Sequence, residues 1–121
     1  MQMIINGEYV DASNGKVFDN VNPYTGQVIC TVPSGTREDF ERAAVVAKMA
    51  QKEWAEVPLY KRVDIIRKFT SIVRENLEDI ARTVCEEGGK TITDARGEVE
   101  CLCMVFESFA EAARHFCGNT Y

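Results

Sequence analysis

Few residues in this sequence combine the types and the spacing that chemistry needs. Cys101-x-Cys103 offers two soft ligands close together, but it lies within a helical pattern. Residues two apart on a helix point in different directions and cannot hold one ion jointly, so packed cysteines are the expectation. Cys30 and Cys85 sit on apolar patterns and carry the same expectation, whereas Cys117, near the end, is expected to be exposed and open to oxidation. None of the five cysteines has a neighbouring base that would activate it. Gly88-Gly89-Lys90-Thr91 ends in the Gly-Lys-Thr of a phosphate-binding loop, yet no glycine stands five residues before Gly89, and Arg82 to Gly88 reads as helix. A helix C-terminus presents carbonyl oxygens, which repel phosphate. His115, the single histidine, falls in the last turn of a predicted helix, where a cation complements the macrodipole. Glu86-Glu87, Glu98 and Glu100 read as solvated helix faces. The residues themselves therefore define no nucleophile with its base, no metal-ligand set and no phosphate cradle.

The elements that would have to position any chemistry are those of a small soluble unit. A chain of 121 residues, 45% hydrophobic and 27% charged, supports one core and is expected to fold as a single segment. A net charge of -5 argues against nucleic-acid binding, which requires clustered cations to displace counterions. The nearest such grouping, Lys61, Arg62, Arg67 and Lys68, alternates with apolar positions and reads as a solvated helix face. The opening Met-Gln-Met-Ile-Ile-Asn-Gly-Glu lacks the basic and apolar regions of a leader, and no apolar run approaches the ~20 residues that span a bilayer. An odd number of scattered cysteines fits a reducing cytoplasm.

The pattern is α+β: strands and turns over residues 1–35, helices over 36–121. Asn6-Gly7 and Asn14-Gly15 are turn signals between short apolar runs and suggest two hairpin-like elements. Asn22-Pro23-Tyr24-Thr25-Gly26 is a further turn before a strand over Gln27 to Val32. From Thr36, which with Asp39 resembles a capping box, a first helix places Phe40, Ala43, Ala44, Ala47, Ala50 and Trp54 on one face, with Trp54 as a core anchor. Pro58 opens a second helix with Leu59, Val63, Ile66, Phe69, Thr70 and Val73 inward. Asn76 is the expected N-cap of a third, carrying Leu77, Ile80, Ala81 and Val84 and stopped by Gly88-Gly89. A fourth runs from about Thr93 to His115, with Ala95, Val99, Leu102, Phe106, Phe109 and Ala113 on one stripe and Gly118 after it. Cys103, Met104, Val105 and Phe116 widen that stripe beyond what one water-facing helix needs, which points to self-association. Gly97 inside this helix is expected to mark a close backbone approach.

Several of these patterns, in this order, resemble the opening segment of the aldehyde dehydrogenase superfamily. The resemblance runs through Ile-Asn-Gly-Glu-Tyr-Val at 5–10, Val-Asn-Pro-Tyr-Thr-Gly-Gln-Val-Ile at 21–29, the alanine-rich helix ending in Trp54, Pro58, Arg62, the Glu87-x-Gly89-Lys90 element, Ala95 and Glu98-Val99. It implies the outer part of a Rossmann-like coenzyme-binding domain, in an enzyme that uses NAD or NADP and works as a homo-oligomer. The implied reaction is attack of a cysteine thiolate on an aldehyde, hydride transfer to the nicotinamide, and thioester hydrolysis aided by a glutamate, with an asparagine stabilising the oxyanion. Those residues and the cofactor loop belong to later parts of the family's chain, so residues 1–121 receive no catalytic, cofactor-binding or metal-ligating assignment. On this expectation the segment alone is inactive, binds no cofactor, and has the remainder of such a chain as its partner.

In some family members a monovalent cation is held by backbone carbonyls at the position matching Val21, with an acidic side chain near that matching Glu98. The Phe-Ala-Glu-Ala-Ala-Arg stretch at 109–114 is more similar to semialdehyde- and lactaldehyde-type members than to betaine-aldehyde types. Two rival readings differ in class. One is a stand-alone helical interaction module derived from the same family; the other, resting on the cysteine count alone, is a redox-sensing cysteine protein.

Overall fold

The computed structural model describes residues 1–115. Four short strands precede four helices, the α+β order expected, and the chain divides into two compact units, the first Met1–Glu56 and the second beginning at Val57.

In the first unit, β1 (Met3–Ile5) and β2 (Glu8–Val10) form an antiparallel hairpin, with Met3 opposite Val10 and Ile5 opposite Glu8. Its two-residue turn needs positive φ at both positions, and Asn6 (57°) and Gly7 (76°) supply it. The second hairpin does not form around Asn14-Gly15. It joins β3 (Val17–Val21) to β4 (Val28–Pro33), with a bulge at Asn20/Val21. Asn22 closes its turn: Oδ1 accepts from the Tyr24 and Thr25 amides at 2.9 and 3.1 Å, and the Asn22 carbonyl accepts from Gly26 N at 2.8 Å.

The reason β2 and β3 stay apart lies at Asp39. Its Oδ2 accepts from Ser13 N at 3.1 Å and lies 3.2 Å from Ser13 Oγ, which draws the segment after β2 to the start of α1 (Arg37–Glu56) instead of back along β2. The Thr36–Asp39 capping box is present in both directions. Asp39 N donates to Thr36 Oγ1 at 3.2 Å, and Thr36 N donates to Asp39 Oδ2 at 2.9 Å. Asp39 is the one buried residue of α1. The expected apolar face of that helix is open, with Phe40 74% and Trp54 43% exposed, so Trp54 is not a core anchor. Its position follows from composition: a stripe of alanines gives a neighbour little area to pack against, and Asp39 is tied down by hydrogen bonds instead.

The second unit consists of α2 (Leu59–Glu75), α3 (Leu77–Gly88) and α4 (Ile92–His115), with α4 packed on both others. Its core joins Val73, Ala81, Ala95, Val99 and Cys103, with Leu77, Ile80, Val84, Cys85 and Ile92 packed around them. Val63, Thr70 and Ala110 are buried as well. These side chains are small, which lets the helices approach closely. The inward line of α4 is therefore Ala95, Val99, Cys103 and Ala110, while Leu102, Phe106 and Phe109 lie on its flank.

Two further expectations are corrected here. Asn76 stands between α2 and α3, but its side chain makes no N-cap bond; Nδ2 donates to the Ile72 carbonyl at 2.8 Å and so caps the end of α2. Gly97 marks no close approach, since a Cβ there would meet nothing within 4 Å among the described residues. Gly88-Gly89 does end α3, with Gly89 left-handed at φ 61°. Phe116, Cys117, Gly118 and Tyr121 lie outside the described residues.

Candidate functional site

The residues singled out for chemistry are dispersed and mostly engaged. Cys103 is buried in the core, with Sγ 3.8 Å from the Thr70 carbonyl, and Cys85 Sγ lies 3.0 Å from the Lys90 carbonyl. Cys101 departs from the packed reading and is exposed, because two residues along a helix is over half a turn. No group of three or more His, Cys, Asp or Glu among the described residues is placed to hold a metal ion. His115 Nε2 is 3.9 Å from Glu111 Oε1, one turn back on the same helix.

Gly89-Lys90-Thr91 forms the corner between α3 and α4, and its groups are committed to acids. Lys90 Nζ meets Glu98 Oε1 at 2.6 Å. Thr91 caps α4 with Asp94, in a second box that the sequence reading missed: Asp94 N donates to Thr91 Oγ1 at 3.2 Å, and that hydroxyl donates to Asp94 Oδ2 at 2.7 Å. The Thr-x-x-Asp spacing of 91–94 repeats that of 36–39 and could have revealed it. With a carboxylate over the α4 N-terminus, a phosphate would be repelled there. The strands form antiparallel hairpins, and no parallel strand–glycine loop–helix unit occurs among the described residues. Glu98, matched above to a family cation position, is the acid that holds Lys90.

What the second unit does present is a surface with two unlike sides. At 100° per residue, Arg67 and Arg74 fall on one flank of the Val63–Thr70 line of α2 and Phe69 on the other, with Ile65 and Ile72 further round, towards the opposite side of the helix. On α4, Glu100, Glu107 and Glu111 lie on one flank of the buried line, and Leu102, Phe106 and Phe109 on the other. Like flanks meet. Arg74 donates to both carboxylate oxygens of Glu107, Nη2 reaching Oε2 at 2.9 Å, with Glu100 at 3.7 Å and Arg67–Glu111 at 3.9 Å. The Glu107 pairing holds the Arg74 pKa above the ordinary arginine value, and Arg74 holds the Glu107 carboxyl below the usual range. Opposite, Phe69 and Phe106 meet with ring centroids 5.0 Å apart and planes tilted by 55°. Their flank stays open: Ile65 is 52% and Phe109 71% exposed. Arg62 lies on the α2 stripe with Ile65, Phe69 and Ile72, at the i, i+3, i+7 and i+10 positions, and its buried Nε has no hydrogen-bond partner. It is thus not on a freely solvated face, as its neighbours Lys61 and Lys68 are. The ion-paired lacing was legible in the seven-residue spacing of Arg67 and Arg74 and of Glu100 and Glu107, but went unread.

The model of the aldehyde dehydrogenase family matches residues 9–121, and the chain belongs to that family. It is 37% identical over 118 residues to 3,6-anhydro-alpha-L-galactose dehydrogenase of Vibrio sp. strain EJY3, covering 98% of this chain and 25% of that protein. With malonate-semialdehyde dehydrogenase 1 of Bacillus thuringiensis strain Al Hakam it shares 41% over 96 residues, covering 79% of this chain and 20% of that one. The crystal structure of an aldehyde dehydrogenase from Brucella melitensis biovar abortus 2308 superposes with a TM-score of 0.94 at 35% identity, covering 99% of this chain and 25% of that one. A structure of 3,6-anhydro-L-galactose dehydrogenase in complex with NAP gives 0.92 at 36%, covering 98% and 25%. The chain thus spans about a quarter of the length of the relatives it matches.

Proposed function

We propose that the chain is the N-terminal structural portion of a cytoplasmic, homo-oligomeric NAD(P)-dependent aldehyde dehydrogenase that oxidises an aldehyde to a carboxylic acid through a cysteine thiohemiacetal. On this reading residues 1–121 form a single segment of the coenzyme-binding domain, inactive by itself. The observation that carries it is the match along nearly the whole chain to only a quarter of each relative. The open flank of α2 and α4 supports it, since each exposed Leu or Phe leaves roughly 1.5 to 3 kcal/mol of burial unclaimed. The remainder of the enzyme chain is the natural cover for that flank.

The chain's contribution is positional: its helices present a surface and bring no reacting group. The 109–114 pattern, together with the malonate-semialdehyde relative, supports a semialdehyde as substrate class. No described helix is long and apolar enough to cross a membrane.

Calorimetric titration of the purified 121-residue chain with NAD+ and NADP+ tests the structural part, with no saturable micromolar binding expected. Saturation by either would place a cofactor site within it. The coding sequence after the Tyr121 codon tests the enzymatic part. An open frame continuing into a cysteine-containing catalytic region, whose product reduces NAD(P)+ with a semialdehyde, is the expected result, and a stop codon there would favour the stand-alone module.

A further inference from the structure

Two Asn-Gly pairs lie exposed in the first unit, Asn6-Gly7 and Asn14-Gly15, and the structure holds them differently. Such a pair can modify itself. The glycine nitrogen attacks the asparagine side-chain carbon Cγ, the new N–Cγ bond closes a succinimide, and the Cγ–Nδ2 bond breaks as ammonia leaves. Water then opens the ring at either carbonyl, giving aspartate or isoaspartate, with nothing oxidised or reduced. Glycine favours the attack because no side chain shields its nitrogen, and a Cβ at Gly7 or Gly15 would meet nothing within 4 Å. What separates the two pairs is whether Cγ can reach that nitrogen.

In the native hairpin, Cγ of Asn6 cannot. Its φ of 57° is left-handed. With ψ about +47°, as in that conformation, the Gly7 nitrogen lies on the side of Cα away from Cβ. Turning it round reverses the two-residue turn and unpairs Ile5 from Glu8. Asn14, by contrast, lies outside any strand and is not left-handed. Its Oδ1 accepts from the Lys16 amide at 2.8 Å, an Asx turn that folds the carboxamide back over the Asn14–Gly15 peptide and polarises Cγ for attack. One bond stands against the reaction: Gly15 N donates to the Ala12 carbonyl at 2.8 Å, and releasing it leaves both hairpins paired.

We infer that Asn14 is a self-modification site of the chain, converting to aspartate and isoaspartate, while Asn6 is protected by its hairpin. The position gives the product a consequence. Ser13, the preceding residue, is held through its amide by Asp39 Oδ2 at 3.1 Å. Conversion sets a like charge beside that anchor. The isoaspartyl link also adds a backbone carbon between residue 14 and Gly15, ahead of Lys16, whose carbonyl accepts from Ser34 N at 2.8 Å. The tie between the segment after β2 and the start of α1 is thereby loosened. The inference concerns the first unit alone and does not rest on the enzymatic reading.

Incubation of the purified chain in mildly alkaline buffer is the test, sampled over time by peptide mapping with mass spectrometry and by isoaspartyl methyltransferase labelling, beside the same chain in urea. In the folded chain Asn14 is expected to convert faster than Asn6 by roughly tenfold or more, because Asn6 must wait for its hairpin to open. In urea the difference should narrow. The converted chain, separated by its added charge, should show less hydrogen-exchange protection at the Ser13 amide than fresh chain. Equal rates at the two sites in the folded chain, or a faster Asn6, overturn the inference. So does an Asn14 that converts in urea but not in the folded chain. Unchanged protection at Ser13 in the converted chain overturns the link to Asp39.

Discussion

Arg74 spans from α2 to Glu107 of α4 with a bidentate pairing, and Glu100, about two turns earlier on α4, approaches the same guanidinium. Among the described residues this is the charged side of the α2–α4 contact, and its side chains are exposed. Glu107→Gln should therefore lower the melting temperature at low ionic strength, and the difference from wild type should shrink towards zero in ~1 M salt, where the Debye length falls to about 3 Å. The sign with pH follows from the lowered Glu107 pKa. Its stabilisation is fully present above the unfolded value of about 4.3 and is lost as pH falls through the lower folded value. Thermal melts by circular dichroism across salt and pH check both; a salt-independent difference would mean that the substitution acts through packing.

At the start of α1, the Thr36 amide, followed by the Ser13 amide, pulls the Asp39 pKa down from its ordinary value to about 2. That carboxylate fixes both the helix start and the segment after β2. Stability from Asp39 is complete above about pH 4, the unfolded value, and is lost as pH falls through about 2. Thr36→Ala removes the reciprocal hydroxyl and is expected to cost about 1 kcal/mol. Hydrogen exchange of the first-turn amides of α1 reads this locally, and protection unchanged in Thr36→Ala would show that the box contributes little.

Gly97 sits in the interior of α4 with open space where a Cβ would go. Gly97→Ala should therefore stabilise the chain by about 1 kcal/mol, the intrinsic difference in helix propensity. A denaturant melt measures it. Destabilisation would reveal a contact at that position which the described residues do not provide.

The weight of the core lies in the second unit, at small side chains. Val63, 1% exposed, should lose about 1–3 kcal/mol on replacement by Ala. Ala95, fully buried between α3 and α4, should lose about 1–3 kcal/mol on enlargement to Leu, because the helices would have to separate. Trp54→Ala, at a half-open position in the first unit, is expected to cost under about 1 kcal/mol. Chemical denaturation of the three variants checks the ranking, and a Trp54 loss larger than that of Val63 would reverse it.

How legible each feature was depended on how local its cause is. The Asn6-Gly7 turn, the Thr36–Asp39 box and the Gly89 stop are decided by a few neighbouring residues, and each was readable from the chain. Asn14-Gly15 misled because its competitor, the carboxylate of Asp39, lies over twenty residues away. The family, too, was legible, because it rests on an ordered set of short motifs and not on any one contact.

The sequence by itself determined the order of strands and helices, their caps and stops, and the family, since these follow from backbone preference, periodicity and motif order. Only the tertiary structure decided which side of each helix is covered. Periodicity marks Leu102, Phe106 and Phe109 and the buried Ala95, Val99 and Cys103 as one broad apolar arc of α4. Close packing of α2 and α3 against α4 favours the small side chains at the contact, so Cys103 and Ala110 turn inward and the phenylalanines are left at the flank. Hydrophobicity is a property of the residue, but burial depends on which neighbour arrives and how near it can come.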